Sequence, residues 1–287
     1  MSKVIKNKIY RPSGFVIILV LLVIVLAVIV GVVVAKQFSQ RQIPFSGQRN
    51  GLFDGNPESG NKESCPEPFV FQLPVDINKV TSILYPGQIR GGDYKAHGGF
   101  RFDNSKNNEI TVKTPYDAYV IAGARYPMPT GEIQYTFDFE HPCGIRYRFG
   151  HLLTLTPKFQ AIADKFPLPK DLDSRTTQVN PPVEVKQGEI VATAVGVPQG
   201  GPASLGGVNT FLDWGVYDYR QQNEISKDPN WVSAHASEDP DWATYYNSET
   251  YKYAVCWFDW ISAGDKAKVL ALPSADGEHG KESDYCN

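Results

Sequence analysis

Hydrophobic and polar positions follow distinct patterns along this chain. From Phe15 to Ala35 the residues are almost all Val, Ile and Leu, without a charge. At helical rise this run can cross a hydrocarbon core of ~30 Å, and it predicts a transmembrane helix. Its β-branched residues would suit a strand in water, but a lone span in lipid must satisfy its own backbone and so has to be helical. From Lys36 to Pro66 the chain turns rich in Gly, Asn, Ser, Gln and charge, which predicts a flexible linker over 36–66.

Beyond Pro66, short β-branched and aromatic runs alternate with turn signals. Glu109–Lys113, Ala118–Ala122, Ile133–Glu140, Ile145–Phe149 and Glu189–Ala194 read as strands of an antiparallel, mainly β domain over 67–219. Helices are expected at Lys158–Phe166 and at Ser262–Leu272, the second capped by Ser262. The Pro-, Asp- and Lys-rich stretch Ala163–Pro182 reads as an insertion between strands, and Gly196–Asn209 as a Gly- and Pro-rich loop. Residues 220–287 lose the clean alternation and read as an irregular α+β extension, either a small lobe or a wrap around the β domain. Its aromatic residues Tyr245, Tyr246, Tyr251, Tyr253, Trp257, Phe258 and Trp260 suit core packing, with glycan or peptide stacking as the alternative.

Charge orients the chain. Lys3, Lys6, Lys8 and Arg11 precede the apolar run and place the short N-terminus, 1–14, in the cytoplasm, although Lys36, Arg41 and Arg49 stand on the far side. Val33 and Ala35 fit a signal-peptidase site as the competing reading, but the apolar run exceeds the ~7–15 residues of a signal-peptide core. The remainder then lies outside the cytoplasm. Cys65, Cys143, Cys256 and Cys286 all fall there, which favours disulfides, with three pairings open. No two of them stand at CxxC spacing, so a thiolate metal site is not indicated. A net charge of −3 without a basic stripe argues against nucleic acid as a partner.

Several ordered motifs carry the candidate chemistry. His97-Gly98-Gly99-Phe100-Arg101 is followed by Thr114-Pro115-Tyr116-Asp117-Ala118-Tyr119-Val120-Ile121. Then come Phe149-Gly150-His151-Leu152, Val185-Lys186-Gln187-Gly188-Glu189-Ile190-Val191-Ala192 and Phe211-Leu212-Asp213. In this order, over roughly Pro86 to Tyr219, the chain resembles the lysostaphin/LytM-type zinc endopeptidases that cut peptides of bacterial cell walls. The resemblance implies a lysostaphin-like β domain of the duplicated hybrid motif type. It also implies that His97 keeps a zinc-ligand position and His151 a catalytic one. Arg101 stands at the second ligand position, Phe211 at the second catalytic histidine, and Asp213 at the third ligand.

Catalytic zinc needs three protein ligands and an open position, and arginine offers only donors. The resemblance therefore implies a pseudo-peptidase without metal, in which Arg101 and Asp213 form an ion pair where the cation would sit. Its groove is expected to bind a cell-wall peptide or another envelope protein. The alternative is an active zinc endopeptidase whose metal is held by His97, Asp213 and Asp103, since Asp103 shares a strand face with His97. A structural subunit of an envelope assembly is the third reading. His141-Pro142-Cys143-Gly144 is expected to be a hairpin turn, and His235 and His279 to lie in exposed polar loops.

Overall fold

The computed structural model describes residues 64–91, 93–128, 131–169, 174–196, 210–238 and 250–286. The expected span at 15–35, the N-terminal residues 1–14, most of the 36–66 linker, the loop 197–209, and Tyr245 and Tyr246 lie outside the described residues. Among the described residues no helix is long and apolar enough to cross a membrane.

The protein is mainly antiparallel β. Nine strands among the described residues join in one sheet. Its main path runs β1 (Ser82–Leu84), β4 (Gly98–Arg101), β11 (Phe211–Asp218), β8 (Ile145–Leu155), β7 (Ile133–Glu140), β6 (Ala118–Pro127) and β9 (Thr177–Val185). β10 (Ile190–Val195) pairs with both β5 (Val112–Lys113) and β8, and β2 (Gln88–Arg90) pairs with β3 (Asp93–Lys95) as a separate hairpin. The β7–β8 connection is the turn expected at His141–Gly144, closed by Gly144 N donating to His141 O at 2.9 Å.

Alternation along the central strands separates two faces. Phe137, Phe139, Tyr147, Phe149, Leu212, Trp214 and Val216 turn to one side and are at most 1% exposed. Their rings interlock: Phe139 stacks on Tyr147 with centroids 4.6 Å apart, and Trp214 meets Trp257 at 4.6 Å. Burying each such ring contributes roughly 1.5–3 kcal/mol. The helix α1 (Pro157–Ala163) closes this core through Phe159. The opposite face carries Gln134, Thr136, Asp138 and Glu140 from β7, Arg146 and Arg148 from β8, and Asp213, Gly215 and Tyr217 from β11.

The stretch read as an insertion, Ala163–Pro182, ends within strand β9, which carries Pro181 and Pro182. Proline lacks the N–H that an inner strand must donate, and among the described residues β9 lies at the edge of the sheet, pairing with β6 alone. After β11 come α2 (Pro229–Glu238), α3 (Thr250–Tyr253) and α4 (Ala263–Ala271), the last capped by Ser262 accepting from Asp265 N. The segment after Tyr219 wraps the sheet. Val255 N donates to Val216 O at 3.1 Å, Phe71 N to Trp260 O at 2.7 Å and Ala275 N to Ile83 O at 2.8 Å. The described residues accordingly fall in a single compact unit, Gly55–Asn287. Trp257 and Phe258 are core residues at 0% and 2% exposure, as the packing reading expected. Two disulfides, Cys65–Cys143 and Cys256–Cys286, select one of the three pairings and are compatible with an extracellular protein.

Candidate functional site

β4 and β8 flank β11, so the sheet itself assembles the candidate residues. Asp213 on β11 lies opposite Gly99 on β4 and opposite Gly150 on β8. Both cross-strand neighbours lack a side chain, which leaves room above the carboxylate. A Cβ at Gly150 would stand 3.2 Å from that of Asp213. Two imidazoles use this room. Nε2 of His97, just before β4, is 3.1 Å from Asp213 Oδ2, and Nε2 of His151 is 3.3 Å from the same oxygen.

His151 reaches this face through a β-bulge. Tyr135 pairs with Leu152 and Phe137 with Phe149, so Gly150 and His151 together oppose Thr136 alone. Regular alternation would send residue 151 into the core, and the extra residue keeps it beside Asp213. The backbone adopts a left-handed conformation there, with φ of 61°, the one positive φ outside glycine among the described residues. For a residue with a Cβ that costs about 1–2 kcal/mol. Gly196 N donates to His151 O at 2.6 Å and holds the turn.

Gln134 fixes which nitrogen of His151 carries a proton. Its Nε2 donates to Glu132 Oε1 at 2.6 Å, so its Oε1, 2.7 Å from His151 Nδ1, is an acceptor. Nδ1 must therefore be the donor, and Nε2 of the neutral ring is a bare lone pair. Its contact with Asp213 is attractive only when the ring is an imidazolium. Nothing in the sequence singled out Gln134; its signal is burial at 0% exposure on a strand whose inward positions are aromatic.

The surrounding charges support an ionised carboxylate. Burial opposes ionisation of Asp213, but the charges and hydrogen bonding of His97 and His151 outweigh it and hold the carboxyl well below its usual range. Burial lowers the pKa of His97 against the pull of Asp213. Arg90 donates to His97 O at 2.7 Å and to Tyr85 O at 3.1 Å, which anchors the backbone that presents the ring. The Tyr126 phenol is pushed by burial up to about 12, opposed by Thr136, with Asp213 adding to the rise.

The expected Arg101–Asp213 ion pair is not formed. Arg101 stands opposite Phe211, two positions along the strand from the Gly99–Asp213 pair. Its Nε lies 3.8 Å from Asp103 Oδ1, and Nε and Nη2 are buried without a hydrogen-bond partner. Asp213 is engaged by the histidines instead, while Phe211 sets its ring against His151 with centroids 4.4 Å apart. A zinc held at the three positions that the resemblance implies does not fit, because the second of the three is this buried guanidinium, a cation with donors only. Asp103 does not join His97 and Asp213 as a substitute ligand; it accepts from Thr81 Oγ1 at 2.8 Å. Among the described residues no group of three His, Cys, Asp or Glu side chains forms a cation site.

The same face continues past Asp213. Arg148 clasps Asp138 through Nε at 2.5 Å and Nη2 at 2.8 Å, and Arg146 pairs with Glu140 at 2.6 Å. Arg146 also lies 4.1 Å over the ring of Tyr219, which stacks on Tyr253 at 4.6 Å. A second cluster was not legible in the sequence. Asp284 Oδ2 accepts from Tyr94 Oη and Trp231 Nε1, each at 2.8 Å, and lies 3.2 Å from His235 Nε2. His235 thus sits on helix α2 in contact with the C-terminal segment, and was wrongly expected in an exposed loop. His279 lies in a turn, partly exposed, and pairs with Asp276 at 2.7 Å.

No protein-family model matches the chain, and neither a curated protein nor a solved structure matches it.

Proposed function

We propose that this is a single-pass envelope protein whose outward-facing β domain is a LytM-type pseudo-peptidase. Its site face binds a cell-wall peptide, or a peptide segment of another envelope protein, without cleaving it. The observation that carries this reading is the sharing of one oxygen of Asp213 by His97 and His151. That contact occupies the groups through which the resemblance would supply a ligand and a base. Arg101 and Phe211 supply neither a metal ligand nor a proton carrier. The disulfides are in keeping with an oxidising compartment.

The test is to purify the full chain without chelator, measure its bound metal, and incubate it with intact walls. Retention on walls, with no stoichiometric zinc and no release of wall peptides, is the expected result. Wall cleavage that depends on zinc and is lost in His97→Ala would replace this reading with the endopeptidase. Failure to bind walls while capturing an envelope protein would leave the scaffold reading.

A further inference from the structure

The two sides of the His97–Asp213 contact are held by different parts of the fold. Asp213 is on β11, inside the nine-stranded sheet, whereas His97 follows the β2–β3 hairpin, which forms a two-stranded sheet of its own. A lone hairpin is marginally stable in water at best. Segment 276–286 supports it. Gln88 Nε2 donates to Glu282 O at 2.6 Å and Gly280 O at 3.1 Å, and Asp284 N donates to Gly87 O at 3.1 Å. Ser283 Oγ donates to Pro86 O at 2.5 Å, and Tyr94 Oη to Asp284 Oδ2 at 2.8 Å. Arg90, on β2, then fixes His97 by donating to its carbonyl at 2.7 Å.

Segment 276–286 forms neither helix nor strand, and an irregular stretch held by a few hydrogen bonds opens readily. The bond from Cys286 to Cys256 closes it into a loop and restrains it. Cys256 in turn stands beside β11. Val255 N donates to Val216 O at 3.1 Å, and Trp257 meets Trp214 with centroids 4.6 Å apart. Trp214 is the residue after Asp213. One covalent bond therefore joins the segment that supports His97 to the strand that carries its partner. The Cys65–Cys143 bond lies elsewhere, at the β7–β8 turn.

Resting on the peptide-binding reading, we propose that Cys256–Cys286 is a redox latch on this site. Closed, it keeps His97 at Asp213. Opened by a dithiol reductant, it releases segment 276–286, the hairpin and His97 in turn, and the site loses its peptide. Cys256 is 6% exposed and Cys286 only partly buried, so attack falls on the Cys286 sulfur. A thiolate of the dithiol bonds to that sulfur, and the electron pair of the broken S–S bond leaves with Cys256, which takes up a proton. The second thiol then displaces Cys286 as its thiol, and the dithiol departs as a cyclic disulfide, oxidised by the two electrons that the protein bond gains.

The test compares the full chain before and after dithiothreitol, and the Cys256→Ser/Cys286→Ser variant, by histidine ring resonances and amide exchange. Opening the bond should speed exchange in residues 88–95 by about 30-fold, the low end of a disulfide's constraint, and should shift the His97 ring. Amides of β7 and β8 should stay protected, the His151 bond to Gln134 should persist, and reoxidation should restore the native spectrum. Reduction of Cys65→Ser/Cys143→Ser should do the same, which identifies the bond that acts. Should the Cys256→Ser/Cys286→Ser variant not fold, the reduced native protein decides. An unchanged His97 ring after reduction overturns the latch. Loss of the whole sheet on reduction also overturns it, because the bond is then a structural one. Retention on intact walls should fall at least about tenfold on reduction. Equal retention of both forms overturns control of binding, whereas no retention of the oxidised protein overturns the peptide-binding reading and leaves the ring spectra to decide the latch.

Discussion

Oε1 of Gln134 stands 2.7 Å from Nδ1 of His151, and because Nε2 of Gln134 is committed to Glu132, the hydrogen bond runs only from the imidazole to the amide. The proton of the neutral ring is thereby kept on the side away from Asp213. Replacing Gln134 with Leu removes the acceptor, and the neutral ring should then move its proton to Nε2, where Asp213 can accept it. Nitrogen chemical shifts of the His151 ring would show Nδ1 protonated in the native protein and Nε2 protonated in the variant. A lost hydrogen bond of this kind should lower stability by about 1 kcal/mol.

The left-handed backbone at His151 makes a second prediction, because glycine bears no Cβ penalty there. His151→Gly should be more stable than His151→Ala by about 1 kcal/mol. Urea unfolding of the two variants checks the sign. Equal stability would mean that the bulge relaxes once the imidazole is removed.

Stability should fall with acid in two windows. The folded pKa of His97 is lowered below 6.5, mainly by burial, so as pH drops the unfolded chain takes up that proton first. The stability present above 6.5 is lost as pH falls through the folded value. The folded pKa of Asp213 lies well below 3.8, and its contribution is present above 3.8 and lost as pH falls below it. His97→Gln should remove the first loss, and Asp213→Asn the second. Urea midpoints measured from about pH 7 to about pH 3 would resolve the two windows.

Arg101→Asp combined with Asp213→His should create a stoichiometric zinc site, with neither single variant doing so. His97 and residue 213 already meet at 3.1 Å, and the exchange supplies the missing anionic ligand from β4. Titration calorimetry of the folded double variant gives the answer. No gain in zinc affinity would mean that positions 97, 101 and 213 do not converge on one point.

Asp284 ties β3, helix α2 and the C-terminus through one carboxylate oxygen. Burial opposes its ionisation, but His235, Trp231 and Tyr94 outweigh that and lower its pKa. Asp284→Ala strands these donors and should cost about 2–3 kcal/mol. Limited proteolysis should then cut within residues 220–286 much faster than in the native protein.

Much of the sheet was legible because alternation is strict where one face is buried. β7 spans Ile133–Glu140, the run read from the sequence. β8 was read as ending at Phe149, since the bulge at Gly150 and His151 breaks the period of two, yet it continues to Leu155. β9 was missed because Pro181 and Pro182 speak against a strand, and only its edge position permits them. The nearness of His97, His151 and Asp213 followed from the order of the motifs. Which charge Asp213 would meet did not, because that depends on a register offset of two residues between Arg101 and the Gly99–Asp213 pair. The Tyr94–Asp284 contact joins residues 190 positions apart, beyond the reach of any local pattern.

The Cys65–Cys143 bridge also decides how the domain bears load. Tension on the residues before Cys65 crosses the disulfide into the β7–β8 turn, and the intervening 77 residues carry none of it. The Cys256–Cys286 bond does the same near the other end. Pulling on this protein therefore loads the middle of the sheet through covalent bonds, and strands β1 to β6 cannot be peeled away first.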